Sequence, residues 1–257
     1  MLKMNNIVMT YDPGGINELC VFNDFSFGVK KGEFVSLVGS NGSGKTTLLN
    51  IICGTLAQTS GEVYIAGENM SHKKDYYRAR RIGRVLQNPS LGTCPNLTIA
   101  ENMALAENKG KKFDFTFCIN KKRISAYRDM VRELSLGLED KMDVKMGSLS
   151  GGQRQAVSLL IATMIPIDFL ILDEHTAALD PLTSETIMHL TDKTIKEKKL
   201  TAVMVTHNLR YAVEYGDRLV MMDKGRVVMD ISGKQKQATA VEDVLKIFND
   251  ISIECGN

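Results

Sequence analysis

Gly39-Ser40-Asn41-Gly42-Ser43-Gly44-Lys45-Thr46 is the stretch on which the reading of this chain turns. It fits, at every fixed position, the pattern of Gly, four residues, Gly-Lys, then Ser or Thr. Before it, Phe34-Val35-Ser36-Leu37-Val38 is a short apolar run. After it, Thr46-Thr47-Leu48-Leu49-Asn50-Ile51-Ile52 has helical character. The order is therefore strand, loop, helix. Glycines in such a loop let backbone N–H groups turn inward around the β- and γ-phosphates of a nucleotide. The helix start adds partial positive charge. Lys45 offers a full charge to the phosphate oxygens. Thr46 offers a hydroxyl to Mg²⁺, which prefers hard oxygen ligands.

Further out, Phe169-Leu170-Ile171-Leu172 and Thr201-Ala202-Val203-Met204-Val205 are two more apolar, β-rich runs. Runs of this kind between helical stretches fit parallel strands buried on both faces. The first ends in Asp173-Glu174. Adjacent residues on a strand face opposite sides, so the two carboxylates have different roles if strand geometry persists. Asp173 reads as the acid on the Mg²⁺ side, acting directly or through water. Glu174 reads as the general base that orients the attacking water. Arg218-Leu219-Val220-Met221-Met222 and Arg226-Val227-Val228-Met229-Asp230 flank Asp223-Lys224-Gly225, which has the form of a hairpin turn.

The rest of the chain excludes more than it identifies. A formal net charge of +2 over 257 residues argues against chain-wide attraction to nucleic acid. The five cysteines are scattered, without a CxxC pair, so neither a zinc site nor a disulfide framework is expected. The beginning lacks the apolar stretch of a signal peptide. The most apolar region, Ala156 to Leu172, is interrupted by Ser158, Thr163, Pro166 and Asp168. It reads as a helix, a turn and a strand, not a membrane span. From about Asn88 to Met164 the pattern is helical and more charged. Within it, Lys109 to Arg123 is basic, with Phe113, Phe115 and Phe117 interleaved. That insertion reads either as a solvated loop or as a surface for lipid head groups or a partner.

The narrowing feature is Leu149-Ser150-Gly151-Gly152-Gln153, followed by Arg154-Gln155. Ser150 is a good N-cap, and Gly151 and Gly152 are expected to expose backbone N–H groups at the positive end of a helix. With these residues the sequence resembles the ABC ATPase family, in motif order along nearly the whole chain. The resemblance implies that the helix end meets the γ-phosphate of ATP held by a second subunit. It also implies that Tyr11 stacks on adenine, and that Gln87 contacts Mg²⁺ or the water and couples to the membrane subunit. Ala178-Leu179-Asp180 would cross to the partner, and His207 would contact the γ-phosphate. A lone histidine is more often structural, but His207 ends a strand where open parallel sheets place ligands. His72, His175 and His189 have no such warrant. Nucleotide contacts are then expected at Tyr11, Gly39, Ser40, Asn41, Gly42, Ser43, Gly44, Lys45, Thr46, Thr47, Ser150, Gly151, Gly152, Gln153 and Asp180. Metal contacts are expected at Thr46, Gln87 and Asp173, and catalytic roles at Glu174, His207 and Gln87.

The implied fold is α/β: a P-loop NTPase with a RecA-like, mainly parallel core, an antiparallel β subdomain and an inserted α-helical subdomain. Residues 1–87 and 165–235 would form the core with the β subdomain. Residues 88–164 would form the helical insertion, and 236–257 a C-terminal helix. The implied activity is ATP hydrolysis with Mg²⁺ in a head-to-tail dimer on the cytoplasmic side of a membrane. Separate permease subunits and an extracytoplasmic solute-binding protein would complete the system. His175 stands where many family members have proline. With Gly92-Thr93 and the basic insertion, it resembles a branch of importer ATPases associated with tryptophan or related amino-acid-like solutes. The alternatives are a soluble relative acting on DNA or ribosomes, and a GTPase or small-molecule kinase. The first usually has coiled coils or two cassettes. The second needs no Leu149 to Gln153 and commonly has an NKxD-type motif, absent here.

Overall fold

Alternation decides how the central strands sit. In a computed structural model that describes residues 1–111 and 119–254, the chain begins with strands β1 (Leu2–Tyr11), β2 (Leu19–Val29) and β3 (Phe34–Gly39). Helix α1 (Lys45–Cys53) follows, then β4 (Ser60–Ile65), β5 (Glu68–Asn69), helix α2 (Asp75–Ala79) and β6 (Ile82–Val85). Three helices come next: α3 (Ile99–Glu107), α4 (Ile124–Arg132) and α5 (Gly151–Thr163). The chain continues through β7 (Phe169–Asp173), α6 (Pro181–Lys198), β8 (Ala202–Val205) and α7 (Leu209–Glu214). It ends with β9 (Arg218–Asp223), β10 (Arg226–Ser232), α8 (Gly233–Gln237) and α9 (Val241–Glu254). Phe113, Phe115 and Phe117 of the basic insertion lie outside the described residues.

Six strands form the main sheet in the order β10-β9-β3-β8-β7-β6. All its neighbouring pairs are parallel except β9 and β10, which form the expected hairpin. Every residue of β3 and β8 is buried. Their side chains alternate between two cores. Val35, Leu37, Phe169, Ile171, Val203 and Val205 pack with Leu48, Leu49, Ile51 and Ile52 of α1. Phe34, Leu170, Leu172, Ala202 and Met204 pack on the opposite face, with Met188 and Ile195 of α6 and Leu159 of α5. Such a strand needs apolar residues at every position, as these runs have.

A second, antiparallel sheet has the order β2-β1-β4-β5. Its Phe22, Phe25 and Phe27 join the α1 side of the core, so α1 is enclosed between the two sheets. A separate cluster joins Ile99, Met103, Tyr127, Val131, Leu149, Ala156 and Leu160 of the helical stretch to Ile187 of α6. α8 begins at Gly233, ahead of position 236. Among the described residues, no helix is long and apolar enough to cross a membrane. Because β3, β7 and β8 run parallel, Gly39, Asp173 and Val205 end at one edge of the sheet. That edge is where such sheets hold ligands.

Candidate functional site

Gly39 to Thr46 forms the turn from β3 into α1. Gly44 has φ +100°, and a Cβ there would lie 2.8 Å from Phe22 Cε1, so only glycine fits. Asn41, Gly42 and Thr46 are exposed, whereas Ser43 and Lys45 are buried. The Lys45 Nζ donates to the carbonyls of Gly39 and Ser40, both at 2.8 Å, and to Ser43 Oγ at 3.4 Å. The ammonium thus caps its own loop. Burial holds Lys45 below the ordinary lysine range, and the nearby Glu174 carboxylate opposes that shift. The β9–β10 turn braces the loop from outside: Gly225 N donates to Ser43 O at 3.0 Å. Ser40 Oγ donates to Asp223 Oδ1 at 2.8 Å. Tyr11, at the end of β1, is 39% exposed. Its hydroxyl lies 3.5 Å from Thr47 Oγ1, beside the first turn of α1.

The two carboxylates diverge, as expected, but not through strand alternation. Glu174 has φ +48°, a left-handed conformation that ends the strand at Asp173. Asp173 stays on the α1 side of the sheet. Its Oδ2 accepts from Arg84 Nη2 of β6 at 2.8 Å, and Arg84 Nη1 donates to Asn50 Oδ1 of α1 at 3.2 Å. Glu174 turns instead toward the end of β8, where its Oε1 lies 2.7 Å from His207 Nε2. A cavity of about 490 Å³ opens beside this pair, lined also by Thr176, Leu179, Thr206 and Arg210. His175 points the other way and is buried. Its Nε2 lies 3.1 Å from Thr191 Oγ1, whose own proton goes to Ile187 O. Burial pushes its pKa down to about 4, so the ring is neutral at pH 7.

Ser150 caps α5 in a reciprocal box with Gln153: each backbone N–H donates to the other's side chain at 3.3 Å. Ser150 and Gly151 are exposed, but Gly152 is buried, contrary to expectation. A Cβ on Gly152 would lie 2.2 Å from Thr183 Cγ2, so its smallness serves close packing against α6. Asp180, expected to reach toward a partner, is the N-cap of α6, its Oδ1 accepting from Thr183 N at 3.0 Å. Those bonds to Thr183 hold its carboxyl below the usual range. Gln87 is exposed just past β6.

Several supporting residues were not foreseen. Arg154 donates to the carbonyls of Met146, Gly147 and Leu149 and to Ser90 Oγ. The buried Gln155 donates to Leu86 O at 3.1 Å. Together they clamp the signature helix to both flanks of Gln87. Their signal was in the sequence, directly after Gln153. Arg84 and Lys109 line two adjoining cavities of about 390 and 280 Å³, the first between β6, α3 and α5. Leu91 and Leu105 on the first and Tyr76 on the second are exposed. Among the described residues, no group of three or more His, Cys, Asp or Glu could hold a metal. No hydrogen bond or ion pair joins Ser150 to Gln153 with Gly39 to Thr46 among those residues.

A phosphate-loop turn, two successive acids where β7 ends and a separate capped signature helix define an ATP-binding cassette. The chain belongs to the ABC transporter family, whose model matches residues 22–177. Cassettes of this family hydrolyse ATP to drive transport. Over 96% of its length the chain is 43% identical to a tyrosine transport ATP-binding protein of Clostridioides difficile (strain R20291), covering 98% of that protein. It is 32% identical over 88% of its length to an energy-coupling factor transporter ATP-binding protein of Streptococcus sanguinis (strain SK36), covering 77% of it. Among solved structures it resembles a dimeric cassette in a post-hydrolysis state bound to ADP and phosphate. There the TM-score is 0.76 and the identity 32%, covering 90% of this chain and 98% of that one. A nucleotide-free cassette from an ABC transporter matches at TM-score 0.79 and 25% identity, covering 100% and 99%.

Proposed function

We propose that this chain is the ATP-hydrolysing subunit of an importer for an amino-acid-like solute, working as a head-to-tail homodimer. The observation that carries the clamp is the signature helix. Its N-terminus, at Ser150 and Gly151, is exposed and unconnected to the chain's own phosphate loop. A positive helix end of this kind suits a phosphate, and a second copy would supply one. The dimeric relative bound to ADP and phosphate supports this arrangement.

In this reading, backbone N–H groups of Gly42 to Thr46 and the Lys45 ammonium hold the phosphates. Tyr11 stacks on the base. The oxygen donors Thr46, Asp173 and Gln87 fit Mg²⁺, which keeps several waters and needs few protein ligands. When bound, the ion would neutralise charge on the transferring phosphoryl group. Glu174 takes the proton of the attacking water, and His207 at 2.7 Å orients that carboxylate and reaches the γ-phosphate. Thr47, Ser40, Asn41, Gly39 and Gln153 shape the pocket, and Asp180 holds the start of α6 where two subunits would meet.

The cavities lined by Arg84 and Lys109, the first also by Leu91 and Leu105, would receive a short helix of a permease subunit on the cytoplasmic side of the membrane. A solute-binding protein would complete the system. Uptake of an amino-acid-like solute is supported by the tyrosine transport relative and by His175 and Gly92-Thr93. The test has two arms. Sedimentation of the Glu174→Gln chain with ATP should give a dimer; a monomer at saturating ATP would sink the clamp. Deletion of the gene should abolish uptake of labelled tyrosine or tryptophan; unchanged uptake of both would refute the solute class.

A further inference from the structure

We propose that Arg84 is a positioning residue that sets how tightly the site takes Mg²⁺, by competing for the Asp173 carboxylate. This inference rests on the metal reading above. Arg84 lies in the interior of a four-residue strand, Ile82–Val85, whose other members are apolar or glycine. Its guanidinium and the Asp173 carboxylate are both mostly buried, with side chains 23% and 18% exposed. The 2.8 Å bond joins β6 to β7, and the second bond, to Asn50, joins both to the helix that carries the phosphate loop. Cys53, close by, is held as a neutral thiol by burial, so it offers no rival charge. The other charged groups lining the same cavities are Lys109 and Asp75. Asp173 is the acid that Arg84 pairs with among the described residues.

Two consequences follow from the geometry. One carboxylate oxygen is already engaged, so the metal side is left with the other. A fixed positive charge also stands a few ångströms from any cation that approaches Asp173. Both weaken cation binding while fixing the carboxylate's direction. Removal of the charge should therefore tighten Mg²⁺, not loosen it.

The test measures binding of a fluorescent ATP analogue against Mg²⁺ concentration, in full-length chains carrying Glu174→Gln to prevent turnover. Arg84→Met and Arg84→Gln should each lower the Mg²⁺ half-saturation at least about tenfold, which is what one charge acting on a divalent ion a few ångströms away gives even at the dielectric of bulk water. Arg84→Lys, which retains the charge, should stay near the parent value. Equal nucleotide binding in EDTA shows that each variant is folded, and the two uncharged variants check one another. An unchanged or raised half-saturation in Arg84→Gln overturns the proposal. If binding by the parent chain ignores Mg²⁺, the metal reading itself falls, a result distinct from failure of the Arg84 inference alone.

Discussion

Substitution of His175 by glutamine should remove one component of the chain's acid sensitivity. The ring is buried, donates from Nε2 to Thr191 Oγ1 and titrates near 4, against an ordinary value of 6.5. The folded state therefore refuses a proton that the unfolded chain accepts as pH falls below 6.5. The contribution is fully present above about pH 6.5 and is lost progressively as pH falls to 4. The full window of 2.5 pH units corresponds to about 3 kcal/mol, and the part lost by pH 5 to about 2 kcal/mol. Glutamine retains an N–H donor for Thr191 but cannot titrate. Urea unfolding followed by circular dichroism at pH 7.5 and pH 5.0 gives the measurement. The loss of stability between the two pH values should be about 2 kcal/mol smaller in His175→Gln than in the parent. Equal losses in the two chains would refute the reasoning, as would an NMR titration that puts the ring above pH 6.

Other predictions concern the site. Glu174→Gln should abolish ATP turnover, by at least the roughly 10²–10⁴ of a general base, while equilibrium ATP binding persists; normal hydrolysis would remove Glu174 from the mechanism. Ser150→Arg should block ATP-dependent dimerisation without loss of nucleotide binding by the monomer, and a dimer that survives in sedimentation would count against the clamp. Gly152→Ala places a methyl 2.2 Å from Thr183 Cγ2, so thermal unfolding should report a cost of about 1–3 kcal/mol for overpacking. Adding Thr183→Ser, which deletes that methyl, should recover most of it; no recovery would mean that the strain lies elsewhere.

The parallel core was legible because β3, β7 and β8 are apolar at nearly every position and end in residues with chemistry. The antiparallel sheet was not read from its residues. β1 and β2 contain register shifts, and Asn6 and Asp24 adopt positive φ. Such bulges break the two-residue period by which a strand is recognised. Arg84 was invisible for another reason: its partner is 89 positions away, and a charge within a buried strand has no local explanation. Asp180 carried a readable signal, since Asp before Pro-Leu-Thr is an N-cap followed by proline at the first helical position. The family pattern drew attention instead to the contact with a partner that the resemblance implies.

Strand β3, which carries the phosphate loop, has no neighbour that is close in sequence. Its sheet partners are β8 and β9. The bonds that fix its start, from Gly32 N to Thr201 Oγ1 and from Phe34 N to Asp217 Oδ2, span 169 and 183 positions. On a ribosome adding roughly 5–20 residues per second, β3 emerges about 9–37 s before both neighbours exist. During that interval Phe34-Val35-Ser36-Leu37-Val38 is an apolar segment without its strand partners, its main-chain groups bonded only to water. The nascent chain is therefore exposed to aggregation at the strand that leads into the Gly39 to Thr46 turn. The turn from β3 into α1 waits as well, because its braces from Gly225 N to Ser43 O and from Ser40 Oγ to Asp223 Oδ1 need the end of β9 and the turn that follows it.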